Sequence, residues 1–101
     1  QKIVTGVTEI PDAQVGYSLS ANYPNPFNPT TTISYVLGKE SFVLLTIYDI
    51  LGQEVEQLVG ERMMPGKYTV TWNSVNQNSG IYYYRITTGE GILTKKMTLL
   101  K

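Results

Sequence analysis

The sequence contains no cysteine and no histidine. The first absence removes disulfide cross-links and thiol chemistry. The second removes the usual general base near neutral pH, the commonest metal ligand and every histidine-dependent triad. A surplus of charge is also lacking, since eight basic and eight acidic side chains give a formal net charge of zero. Nucleic acids and anionic membranes both select for excess Lys and Arg, so no nucleic acid is expected as a partner. Apart from the adjacent Lys95 and Lys96, the basic residues are scattered. No apolar run approaches the roughly 20 residues of a membrane-spanning helix. The opening "QKIVTGVTEI" has no signal-peptide core, which places any ordinary export signal outside this chain.

Further motifs of catalysis are missing. Without histidine nothing activates the serines and threonines, and no G-x-S-x-G elbow occurs. No D-x-D-x-D-G spacing points to calcium, and Gly89 and Gly91 sit in a hairpin signal with no helix behind them to receive phosphate. The residues therefore imply no enzyme, no cofactor and no small-molecule substrate.

What the chain does contain is alternation. Its 101 residues are the size of one domain. Residues 1–16 show no clear period and read as a linker or the end of a preceding domain, with a possible short pairing segment at 2–7. Beyond them, alternating apolar and polar residues predict strands at 17–21, 31–37, 42–49, 54–59, 67–73, 81–88 and 91–101. In 31–37, Ile33, Tyr35 and Leu37 share a face. In 42–49 both faces are largely apolar, as suits a central strand. Turn residues separate the segments: Gly38 to Ser41, Leu51-Gly52, Pro65-Gly66, the polar run 74–80, and Gly89 to Gly91. Seven short strands at this spacing predict an all-β, immunoglobulin-like antiparallel β-sandwich.

Two groups of side chains carry alternative readings. Glu54 and Glu56 lie two apart on a strand, hence on one face, where they form a candidate acid/base or metal pair or a solvated rim. Asp49 precedes Leu51-Gly52, where aspartate commonly bonds the backbone of its own turn. The eight Tyr, two Phe and one Trp could form a sugar-stacking platform, giving an adhesive or carbohydrate-binding module. Alternatively they are core: Tyr83 would fill the space between the sheets with Trp72 and Tyr68, while Tyr82 and Tyr84 cover the outer face.

The stretch "NYPNPFNPTTTISYVL" places Pro24, Pro26 and Pro29 within six positions, immediately before a strand. Proline fixes φ and extends the residue before it, so this segment is expected to be stiff, polyproline-like or multiply turned. Asn25 and Asn28 can replace the ladder bonds that proline cannot make. Phe27 is the large apolar side chain between the outer prolines and is expected to plug one end of the core. The closing "TLLK" is apolar apart from Thr98 and Lys101. Leu99, Leu100 and Lys101 either end an ordinary strand or offer a partner a grip by strand addition or in a pocket.

Taken in order, "LSANYPNPFNPTTTISYVL", "VLLTIYDILGQEVEQLV", "GKYTVTWN", "SGIYYYRI" and "KKMTLLK" resemble the C-terminal sorting domain of the type IX secretion system, over residues 17–101. A relative in fold is the immunoglobulin-like module of flagellar hook-capping proteins. Gly66 and Tyr68 match the first G-x-Y block of the family, Gly80 and Tyr82 the second, and Lys95, Lys96 and Met97 the terminal block. The resemblance implies a non-catalytic signal behind an upstream cargo domain, in a secreted or cell-surface protein of a Gram-negative bacterium that travels via the periplasm. It implies as partners the type IX outer-membrane translocon and a sortase-like protease that removes the signal before release or surface anchoring. It makes Lys95, Lys96, Met97, Leu99, Leu100 and Lys101 the candidates for translocon recognition.

Overall fold

Residues 16–101 are described by the computed structural model; the pairing segment expected at 2–7, and all but the last residue of the linker expected at 1–16, lie outside the described residues. Seven strands follow one another: β1 (Tyr17–Leu19), β2 (Thr30–Leu37), β3 (Ser41–Asp49), β4 (Glu54–Met63), β5 (Gly66–Asn73), β6 (Gly80–Thr88) and β7 (Gly91–Leu99). They form a three-stranded sheet in the order β1-β2-β5 and a four-stranded sheet in the order β4-β3-β6-β7. Every pairing is antiparallel. This is the expected β-sandwich, and β3, apolar on both faces, is indeed internal to its sheet.

The core follows from period-two alternation. Ile33, Tyr35 and Leu37 of β2 face Val43, Leu45 and Ile47 of β3, Tyr84 and Ile86 of β6, and Met97 and Leu99 of β7, all buried. Trp72 closes one end, its ring edge-on to Tyr82 at 5.5 Å and tilted against Phe27 at 5.7 Å. Both contacts lie in the range where aromatic pairs add to simple burial.

The tyrosine run is phased opposite to expectation. Tyr82 and Tyr84 are buried, whereas Tyr83 turns outward. Register supplies the reason: Tyr84 pairs with inward-facing Ile47, and Tyr83 pairs with outward-facing Tyr48. Cross-strand partners share a face, so one such pair fixes the whole strand. Trp72 therefore packs on Tyr82 and not on Tyr83, while Tyr68 stacks on Tyr35 at 5.5 Å.

Glu54 and Glu56 do not share a face either. β4 skips a residue between these two positions, so Glu56 pairs with inward-facing Ile47 and Glu54 with outward-facing Tyr48. An extra residue in one strand breaks the alternation that the spacing assumed. Glu56 is spent on Trp72, whose Nε1 donates to its Oε1 at 3.0 Å. β4 also runs four residues further than its polar sequence suggested. β3 supplies the partner ladder for that extension, Ser41 to Leu44 pairing with Met63 to Gly60.

Burial of the tyrosines couples stability to alkaline pH. Tyr35, Tyr82 and Tyr84 all have phenols raised above the ordinary tyrosine value, chiefly by burial. The unfolded chain therefore loses these protons first. The stabilisation they carry is complete below about pH 10 and is lost as pH rises from there through the raised folded values. Urea midpoints measured from pH 8 to 11 should fall steeply above pH 10. Tyr84→Phe should flatten that fall. At neutral pH it should cost about 1 kcal/mol, for the bond that Tyr84 donates to the Ser20 carbonyl at 2.7 Å. An unchanged pH profile in this variant would count against burial of Tyr84 as a cause.

Candidate recognition surface

The proline-rich segment is a multiply turned loop between β1 and β2. Its three Xaa-Pro bonds, Tyr23-Pro24, Asn25-Pro26 and Asn28-Pro29, are cis. Prolines cannot donate, so carbonyls and side chains carry much of the loop's bonding beside the amides of Tyr23 and Phe27. The Asn22 side chain, buried, donates through Nδ2 to the Pro24 carbonyl at 3.1 Å and to Thr31 Oγ1 at 2.9 Å. Thr31 Oγ1 in turn donates to the same carbonyl at 2.9 Å. The Pro29 carbonyl accepts from the Ser74 amide at 2.9 Å and from its hydroxyl at 2.7 Å. Asn22 was missed by sequence reasoning, although an asparagine preceding a Pro-rich turn is the expected residue type for such work. Phe27 points inward and is 2% exposed.

That loop grips the end of β7. The Phe27 amide donates to the Thr98 carbonyl, and the Leu100 amide to the Phe27 carbonyl, both at 3.0 Å. Phe27 and Leu99 thereby form a parallel bridge. Asn25 Oδ1 accepts from the Thr98 amide at 3.0 Å. Beyond the strand, Lys101 is tied to the loop 74–79. Its amide donates to Ser79 Oγ at 2.9 Å and its Nζ to the Val75 carbonyl at 2.8 Å.

The residues singled out in the sequence are thus divided. Met97 and Leu99 are core side chains, at 1% and 0% exposure. Lys95, Lys96, Leu100 and Lys101 are exposed. Gly66 and Gly80 open β5 and β6 with φ of 155° and 152°, backbone that a side chain would strain. Tyr68 donates to the Met64 carbonyl at 2.7 Å and Tyr82 to the Asn78 carbonyl at 2.7 Å, each tying its strand to the preceding turn. Asn28 and the rings of Pro24 and Pro26 lie on the surface.

Two other candidates can be placed. Among the described residues no cluster of three or more acidic side chains could hold a metal ion. Asp49 closes the β3–β4 turn, its Oδ1 accepting from the Leu51 and Gln53 amides at 2.9 Å. On the outer face of the four-stranded sheet, Tyr48, Asp49, Tyr83, Arg85 and Thr94 line a groove of about 160 Å³. The Arg85 guanidinium lies 4.7 Å from the centre of the Tyr48 ring. It covers the surface on which a sugar would stack.

The two antiparallel sheets and the braced end of β7 define an immunoglobulin-like β-sandwich module. The chain belongs to the secretion-system C-terminal sorting domains of the type IX pathway, whose family profile matches residues 21–99. By family it is an export signal, and membership implies delivery across the outer membrane to the cell surface or beyond. Curated protein sequences gave no match. Among solved structures, dimeric latent PorU from Porphyromonas gingivalis superimposes with a TM-score of 0.65 at 19% identity. The match covers 97% of this chain and 10% of the PorU chain, so this chain spans about a tenth of that protein's length. At that identity the likeness is one of fold.

Proposed function

We propose that residues 17–101 act as the removable export signal of a longer protein, with residues 1–16 as the link to its cargo. The cargo reaches the periplasm by a separate leader. The folded module is then engaged by the type IX outer-membrane translocon, and a sortase-like protease cuts upstream of the sandwich before the cargo is released or anchored. The observation that carries this reading is the family match over nearly the whole described module. Its supporting feature is the rigid seat built for residues 97–101.

A periplasmic reporter fused ahead of the full chain, expressed in a host with type IX secretion, should be found outside the cell. Deleting Leu99–Lys101 should trap it in the periplasm. Because Leu99 is core, that deletion also threatens the fold; deleting Leu100 and Lys101 alone spares the core and should still lower export. Unchanged export of both truncations would remove residues 99–101 from the signal.

A further inference from the structure

The two ends of the sandwich differ in chemistry. Gly16, where the upstream chain joins, sits at one pole: its carbonyl accepts from the Gly38 amide, beside the Lys39–Glu90 ion pair. Strands of eight or nine residues run from there to the opposite pole. They set it roughly 25–30 Å away.

Four segments make this distal pole. They are the proline loop 20–29, the turn 49–53, the loop 74–79 and residues 100–101. Hydrogen bonds join the loop, the 74–79 segment and the last residues, as described above. The 49–53 turn joins through the pairing of Asp49 with Tyr82. These segments hold two charged residues, Asp49 and Lys101, and both are engaged with main-chain groups. Glu54, exposed, opens β4 beside the 49–53 turn, and Glu56 accepts from Trp72 at this same end; the remaining described charges lie on the sheet faces and towards the proximal pole. Five large apolar side chains stand exposed on the distal segments: Tyr23 at 80%, Ile50 at 64%, Leu51 at 80%, Val75 at 58% and Leu100 at 55%.

We propose that this apolar pole, which carries no free basic side chain, is the docking surface of the module, and that its occupant is a folded protein with an apolar pocket. The inference rests on the export-signal reading and names the partner chemistry of that signal. Three observations select this occupant. A cargo attached at Gly16 leaves the distal pole free. The lack of an unengaged basic side chain on these segments disfavours phosphate-rich or anionic-lipid partners, which select basic side chains. The edge of β7 at Thr98 and Leu100 is already filled by Phe27 and Asn25, so strand addition there is closed. The partner must read side chains presented in fixed positions by four braced segments, as binding loops on a rigid scaffold do.

The test is the reporter fusion with the full chain. Leu100→Asp and Leu51→Asp alter exposed side chains and should leave the thermal midpoint nearly unchanged. Each should reduce export by about tenfold or more, the factor expected when a leucine side chain loses its apolar seat. Leu100→Met should retain export. The pair Asn25→Ala with Ser79→Ala frees the Thr98 and Lys101 amides; their hydrogen exchange should quicken and export should fall. Normal export of the Asp variants overturns this proposal alone. Normal export of the freed-tail variant, with exchange quickened, overturns its composite character and shows a linear tail being read. Failure of the unmodified chain to export the reporter overturns the export reading itself. Binding of the purified chain to phosphatidylcholine vesicles, or a concentration-dependent dimer lost in Leu51→Asp, would replace the folded-protein partner by a bilayer or a second copy.

Discussion

Replacing Trp72 with alanine is expected to destabilise the domain by about 3–5 kcal/mol, the cost of deleting a large buried aromatic side chain. Trp72 is 1% exposed and touches both Phe27 and Tyr82, so its removal opens a cavity between three segments that are distant in sequence. Against a total stability of roughly 5–15 kcal/mol, that is a large fraction. For a domain of this size it corresponds to a fall in melting temperature of at least about 12 °C. The comparison that isolates packing is Trp72→Phe, which keeps an aromatic body but drops the Nε1 donor. Glu56 is exposed, so water can replace that donor, and the second variant should cost less than the first. A loss within about 1 kcal/mol in Trp72→Ala, measured by urea denaturation, would mean that the ring is not a core element.

Much of the fold was legible because β propensity, alternation and turn residues agreed. β2 states its inward face through Ile33, Tyr35 and Leu37. β3 states its central place by being apolar on both faces, and Gly66 and Gly80 mark the entry to two strands. The run Tyr82-Tyr83-Tyr84 was not legible on its own, since three identical residues carry no phase. Arg85 pairs with Thr94 and lies two residues from Tyr83, so its charge was the available signal that this face looks outward. Glu54 and Glu56 misled for a different reason. Spacing gives a shared face only when the ladder is regular, and the bulge that separates them is set by pairing with β3, which local sequence does not encode.

The surface was less legible than the core. The family resemblance drew attention to Lys95, Lys96, Met97 and Leu99, but the side chains of Met97 and Leu99 are sealed inside the sandwich. What the sequence could not show is that residues 20–29 and 97–101 meet. Asn25 and Thr98 lie 73 residues apart along the chain and come together only through the closure of both sheets. The same limit hid the distal pole, because Tyr23, Leu51, Val75 and Leu100 are isolated apolar residues along the sequence. Exposed apolar residues taken singly mean little; their gathering at one end is informative.

Phe27 is where stability and the surface are joined, and Phe27→Ala should show both. The side chain fills the end of the core against Trp72, while its backbone carries two of the hydrogen bonds that seat Thr98 and Leu100. Truncation to alanine should cost about 3–5 kcal/mol, comparable with Trp72→Ala. The two rings touch, so the double variant should lose less than the summed losses, by about 0.5–1.5 kcal/mol. Strict additivity would place the rings in independent environments and contradict their contact. The backbone bonds survive the substitution in principle, but without the ring the loop has lost its apolar anchor. The Leu100 amide, protected by the Phe27 carbonyl, should then exchange faster than the fall in global stability requires. Phe27→Leu refills part of the site with an apolar side chain and should restore much of that protection. If Leu100 exchange in Phe27→Ala only tracks global unfolding, the loop holds the tail through its main chain and prolines alone, and the ring serves the core without serving the surface.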